Sequence, residues 1–346
     1  MLRYYFCCVT IFTFLFFNNA HAQVKNPKQQ FFSIGDFKLE NGSTIYDCTL
    51  GYRTYGKMNE RKSNVVIFPT WFTGSTTDLE SAVPQEIVDT NIYFLILIDA
   101  LGNGISSSPS NSKQQPRLSF PEFSIRDMVE TEYALVTKQF QLHHVYAIAG
   151  ISMGGMQAFQ WAVSYPDFAD KIIPIVGSPQ LDAADLLLWN GEMQAIQRDT
   201  AFHQGQYQGM PSMPAVSMMH AFALHTPTNL ANEIPRDSFD QWLHQLSGNE
   251  HFDWNNRIRQ LQAMIGNDIA KDAHGSLEEA AKKIHAKMLI ITARQDHMVN
   301  PLPAAKLARI LHANLVELES DCGHTAPGCE GEKVKEATYA FLAQKN

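Results

Sequence analysis

Six short, almost unbroken aliphatic runs set the strongest limit on how this chain can fold. They are NVVIFPTW (64–71), YFLILIDA (93–100), HVYAIAG (144–150), KIIPIVGS (171–178), KMLIITAR (287–294) and NLVELES (314–320). A strand with one wet face alternates apolar and polar residues, whereas a strand covered on both faces reads as a continuous apolar run. Burial on both faces is the habit of parallel sheets, because crossover helices lie on each side. Helical periodicity separates the runs accordingly. Residues 124–140 carry apolar positions at 125, 128, 129, 133, 135 and 136, and residues 153–166 and 301–313 are also helical in pattern. This alternation implies right-handed crossovers and a mostly parallel, doubly wound α/β sheet. Ahead of the first run, FKLENGSTIYDCTLGYRTYG holds two alternating segments around Asn41 and Gly42, the signal of a hairpin.

The rhythm breaks between about 180 and 280, where the sequence is helical in pattern, rich in Met, His and Gln, and without a buried strand. This predicts a core formed by 23–180 and 281–346, with 181–280 inserted before the last strands. Such a helical cap would lie over the strand ends where open α/β sheets bind ligands. With 346 residues, 45% of them hydrophobic, the chain can bury a core of that size. Residues 1–22 have Arg3, an apolar run from Tyr4 to Phe17 and the ending Ala20-His21-Ala22, which predicts a cleavable signal peptide and a periplasmic or secreted protein. That run is too short to span a bilayer, and no later stretch suggests a membrane span. Removing it leaves Cys48, Cys322 and Cys329; the last two are close enough in sequence to bridge in an oxidising compartment, leaving one buried thiol. The net charge of −8, without a Lys/Arg cluster, lacks the footprint of a nucleic-acid binder and leaves small molecules as partners.

Chemistry gathers at Ser152, in Gly150-Ile151-Ser152-Met153-Gly154, directly after a buried run and directly before a helix. A strained strand-to-helix turn needs residues without bulk beside the serine and lifts its hydroxyl out at the sheet's edge. Close packing of the helix on the strand accounts for Gly155 and Ala158, but not for a serine. A serine nucleophile needs a base and an acid to orient that base, arriving in the α/β-hydrolase order of serine, acid, histidine. Asp296 follows KMLIITAR, and His324 follows NLVELES. Each falls just beyond a strand's carboxyl end, and Asp321 and Asp99 are the competing acids. The oxyanion needs two donors: the amide of Met153, and one from the PTWFTGST loop (69–76), where Phe72 comes before Trp71. No HExxH, cysteine pair of zinc-site spacing or GxxxxGK[ST] occurs, so no metal or cofactor is assigned.

The stretch GISMGGMQAFQWAVSYPD resembles the nucleophile segment of the homoserine O-acetyltransferase family of the α/β-hydrolase superfamily. The similarity extends through GYRTYGKMN, FTG (72–74), FPEFSIRDMV (120–129), QAIQRD, GQY, DHMVNP and GH, and so covers nearly the whole chain after residue 22. The resemblance implies Ser152, Asp296 and His324 as a catalytic triad, Phe72 as the loop donor, and ping-pong acetyl transfer from acetyl-CoA to homoserine. It also implies dimerisation through the cap, although a divergent cap leaves the homodimer open. The acceptor site departs from the family pattern. Thr325 stands where an Asp holds the acceptor's ammonium, and Met218 and His225 stand where an Arg and a Tyr fall. A zwitterion without those counter-charges loses on the order of several kcal/mol of charge-assisted bonding. The reading that follows is an exported acyl hydrolase acting on a small-molecule ester or thioester, with Trp71 and Thr325 in the substrate pocket. A homoserine O-acetyltransferase and a catalytically silent binding protein are the alternatives; the acyl and leaving groups stay open.

Overall fold

The computed structural model describes residues 27–248 and 251–344, and the expected signal peptide lies outside them. The chain opens with β1 (Gln30–Lys38), β2 (Thr44–Tyr55), β3 (Val65–Pro69), α1 (Thr76–Leu79) and β4 (Phe94–Ile98). It continues through α2 (Ile125–Lys138), β5 (Val145–Ile151), α3 (Met153–Ser164) and β6 (Ala169–Ile175). Helices α4 (Ala183–Arg198), α5 (Pro214–Leu224), α6 (Pro227–Glu233), α7 (Phe239–Gly248), α8 (Trp254–Ile265) and α9 (Leu277–Ala281) follow without a strand among the described residues. The last elements are β7 (Lys287–Ala293), α10 (Pro301–Leu311), β8 (Asn314–Leu318), α11 (Ala326–Cys329) and α12 (Gly331–Ala343).

All eight strands form one sheet in the order β1-β2-β4-β3-β5-β6-β7-β8, antiparallel at β1-β2-β4 and parallel from β4 onward. The six aliphatic runs are the inner and later strands, β3 to β8. Along β3, Val65 and Ile67 enter the core on one face while Val66 and Phe68 enter the core on the other. β4 divides in the same way, Ile96 and Ile98 against Leu95 and Leu97. That two-sided burial is why the inner segments lack polar alternation, whereas β8, expected to be covered on both faces, is an edge strand buried only at Leu318. The hairpin turns near Gly42 as expected, but β1 begins at Gln30, ahead of the alternating segment, and register shifts on either side of Gly35 interrupt its alternation.

Helix α2 starts at Ser124, whose hydroxyl accepts from the Asp127 amide while the Asp127 carboxylate accepts from the Ser124 amide. Further along, α2 packs against α3, where buried Trp161 donates to the Glu132 carboxyl at 2.6 Å. The other Glu132 oxygen has no hydrogen-bond partner, and burial pushes the group from near 4.5 up to about 8. Between those values the folded protein holds a proton that the unfolded chain releases, so stability falls as pH rises through the window and levels off above it. Glu132→Gln is expected to abolish this slope. Thermal melts at about pH 5 and about pH 8 check it: the variant's melting temperature relative to the parent should rise with pH, and a constant difference would contradict the assignment.

Candidate active site

Ser152 sits between β5 and α3 with φ of 57° and ψ of −119°, a conformation that costs a residue with a side chain about 1–3 kcal/mol. Its neighbours hold it there. The Ser152 amide donates to the Ile175 carbonyl at 2.9 Å, and its carbonyl accepts from the Met156 amide at 3.0 Å. A Cβ on Gly150 would lie 2.2 Å from the Gly154 carbonyl oxygen, and one on Gly154 would lie 2.7 Å from the Pro69 oxygen. The turn therefore closes only with glycine on both sides of the serine.

His324 lies in the short turn after β8, and Asp296 in the loop after β7. The Ser152 hydroxyl is 2.8 Å from His324 Nε2, and His324 Nδ1 is 2.7 Å from Asp296 Oδ2. The other Asp296 oxygen, Oδ1, accepts from the Met298 and Val299 amides, both at 2.9 Å. A carboxylate only accepts, so the proton of a neutral imidazole sits on Nδ1 and its Nε2 lone pair faces the serine. All three side chains are buried. The loop that carries the imidazole is closed on itself by a disulfide between Cys322 and Cys329, and the other cysteine among the described residues, Cys48, is buried with its thiol pushed up to about 12 by desolvation.

The competing acids are engaged elsewhere. Asp99 is fully buried and accepts from the Thr76 amide, Asn103 and Gln29, which ties the loop after β4 to the start of the chain. Asp321 accepts from Asn232 through its carboxylate and from Thr226 through its carbonyl.

Ser152 and His324 open into a cavity of about 440 Å³. Trp71 and Thr325, the expected substrate-pocket residues, and Phe72, the expected oxyanion donor, all line it. The loop bearing Phe72 is pinned at both ends. Gln157 on α3 donates to the Thr70 carbonyl at 3.1 Å, and the Thr73 amide donates to Gln260 on α8 at 2.9 Å. The amides of Met153 and Phe72 have no protein acceptor among the described residues.

The helical insertion adds Trp189, His220 and Leu224 to the wall, and the core adds Ala82, Ile151 and Met298. Met218 is 41% exposed and stands outside the lining, so its position contributes no counter-charge to the cavity. His225 does not line it either, and its Nδ1 is buried without a partner. Sequence reasoning missed His220 and its supports, Glu192 on α4 and Arg257 on α8. The three come from separate helices with no spacing that links them. Among the described residues, no cluster of His, Cys, Asp or Glu could hold a metal ion, and no helix is long and apolar enough to cross a membrane.

A mostly parallel eight-stranded sheet with a glycine-flanked serine on the turn after β5 and a helical insertion between β6 and β7 defines the α/β-hydrolase fold class. The α/β hydrolase fold family matches residues 64–327 of the chain. The chain is 33% identical over 322 residues to a probable esterase of Corynebacterium glutamicum, covering 88% of this chain and 91% of the relative. It is 28% identical over 295 residues to an ethyl acetate hydrolase of Pseudomonas veronii, covering 81% and 84%. Its structure superposes on that of homoserine O-acetyltransferase from Bacillus anthracis with a TM-score of 0.84, at 25% identity and with 93% and 99% of the two chains covered. Within the α/β hydrolases, the chain belongs to the homoserine O-acetyltransferase-like family, which also includes esterases. It is an enzyme of the hydrolase and acyltransferase kind.

Proposed function

We propose that this protein is an exported, serine-dependent acyl hydrolase of small esters. The observation that carries the reading is the unbroken hydrogen-bond chain from Ser152 through His324 to Asp296, opening onto a cavity of about 440 Å³. In this mechanism His324 Nε2 takes the serine proton as Oγ attacks the acyl carbonyl. The amides of Met153 and Phe72 receive the negative charge on the carbonyl oxygen. The imidazolium, held by Asp296, gives its proton to the departing alkoxide as the ester C–O bond breaks. A water molecule then loses its proton to His324 and attacks the acyl-serine, which releases the acid and restores the serine.

Water is favoured over homoserine as acceptor because the cavity holds Thr325 and no carboxylate beyond the one buried under His324. The names of the two curated relatives, a probable esterase and an ethyl acetate hydrolase, favour short acyl esters. Residues 181–280 act as the cap and residues 23–180 with 281–346 as the core. The Cys322–Cys329 bridge supports export, since disulfides persist in oxidising compartments.

The test is to incubate the chain from residue 23 onward with p-nitrophenyl acetate and, separately, with acetyl-CoA plus homoserine. Rapid release of nitrophenol with no acylated amino acid is expected. Efficient formation of O-acetylhomoserine would replace the hydrolase reading with the transferase one. Failure of a fluorophosphonate to label Ser152 in folded protein would sink both.

A further inference from the structure

His220 is a titratable side chain lining the cavity that the triad mechanism does not use. It stands on α5 in an otherwise apolar stretch, and its ring is flanked by two other lining residues. Its centroid is 5.9 Å from that of Phe72 and 6.3 Å from that of Trp189. Such a position would suit a leucine or phenylalanine. Instead an imidazole is placed there and supported from behind: Nδ1 lies 2.9 Å from Glu192 Oε1, and Glu192 Oε2 accepts from Arg257 Nη2 at 3.1 Å. Glu192 is fully buried, and the Arg257 side chain is 5% exposed.

The support fixes the state of the ring. Glu192 is held below the usual carboxylate range by its two partners, against the pull of burial, so it is ionised and only accepts. Burial, the Arg257 charge and the nearby His324 together hold His220 below the usual imidazole range, so the ring is neutral. The single ring proton therefore lies on Nδ1, pointing at Glu192. What the ring has left for a ligand is Nε2, an acceptor.

We infer that His220 accepts a hydrogen bond from a hydroxyl group on the substrate, so that the preferred substrates are short esters bearing a hydroxyl. The inference rests on the hydrolase reading of the same site. A carboxylate on the substrate would meet the Nε2 lone pair and be repelled. An ammonium would find no free anion, because both Glu192 oxygens are already engaged. A neutral hydroxyl satisfies the acceptor without bringing an unpaired charge into the cavity. A site built to bond a hydroxyl discriminates strongly against an analogue that lacks it, because the buried acceptor is then left without a partner.

Two matched pairs of esters, each differing by hydroxyl against methyl, locate the group. On the alcohol side, 2-hydroxyethyl acetate is compared with propyl acetate; on the acyl side, ethyl 3-hydroxybutyrate is compared with ethyl 3-methylbutyrate. The parent enzyme should show a kcat/KM preference of about tenfold for the hydroxylated member of at least one pair. His220→Phe should bring that ratio to near one, while His220→Gln, which keeps an acceptor, should retain most of it. Should His220→Phe fail to fold, His220→Asn, whose amide is too short to reach, gives the same comparison. Equal rates within both pairs in the parent, or a preference that survives in His220→Phe or His220→Asn, would overturn the inference while leaving the hydrolase reading standing. Failure to hydrolyse p-nitrophenyl acetate and all four esters would remove the hydrolase reading, and this inference with it.

Discussion

Ser152→Ala should lower ester turnover by about 10⁴-fold or more while the melting temperature stays within a few degrees of the parent's. The loss is large because the hydroxyl forms the bond to the acyl carbon, and no neighbouring side chain can replace it. Stability hardly changes, because alanine keeps the same backbone strain at φ of 57° and gives up one hydroxyl contact with His324. Ser152→Gly separates the two effects. Glycine adopts that conformation freely, so this variant should be inactive and more stable than Ser152→Ala. Steady-state hydrolysis of p-nitrophenyl acetate, with thermal melts of all three proteins, checks both. Activity above background in Ser152→Ala would remove the serine from the mechanism.

A comparable loss is expected at Asp296, for a reason that the geometry makes specific. Oδ1 accepts from two backbone amides and must remain an oxygen. In Asp296→Asn the new NH₂ group is therefore forced into the Oδ2 position, where it donates toward His324 Nδ1. That places the lone pair on Nδ1 and the proton on Nε2, so the ring faces the serine with a donor instead of an acceptor. A triad in the wrong tautomer loses about 10⁴-fold in kcat, with little change in KM where binding is untouched. Kinetics at saturating ester, with circular dichroism to confirm folding, tests this. A loss of less than tenfold would show that Asp296 does not set the tautomer.

The sheet could be read from the sequence because its inner strands are buried on both faces, and nearly all of their positions are therefore filled by apolar residues. Val65 to Phe68 and Leu95 to Ile98 leave no room for another interpretation. The Ser152, Asp296 and His324 positions were legible for a related reason. Each stands just past a strand, so the strand pattern marks where the side chain must fall. The bulged start of β1 was not legible, since a register shift at Gly35 erases the alternation that would announce it. Nor were His220, Glu192 and Arg257. Each occupies one face of a different helix, and helical periodicity says which residues face inward but not which helices meet. The loop after β3 was partly legible: its turn residues and aromatic were plain, but its anchoring by Gln157 and Gln260 spans long stretches of chain.

The insertion between β6 and β7 also orders events during folding. Ser152 and His324 are 172 residues apart, and the base arrives only after the helical segment has been accommodated and β7 and β8 have joined the sheet beside β6. Strands β1 to β6 can pair while that half of the chain is still alone, and they already contain the strained serine turn. Contacts of such long separation form late, since the loop between them must close first. The nascent chain thus carries its serine without a base until β7, β8 and the turn bearing His324 have docked, and recovery of activity on refolding should trail the recovery of helical signal.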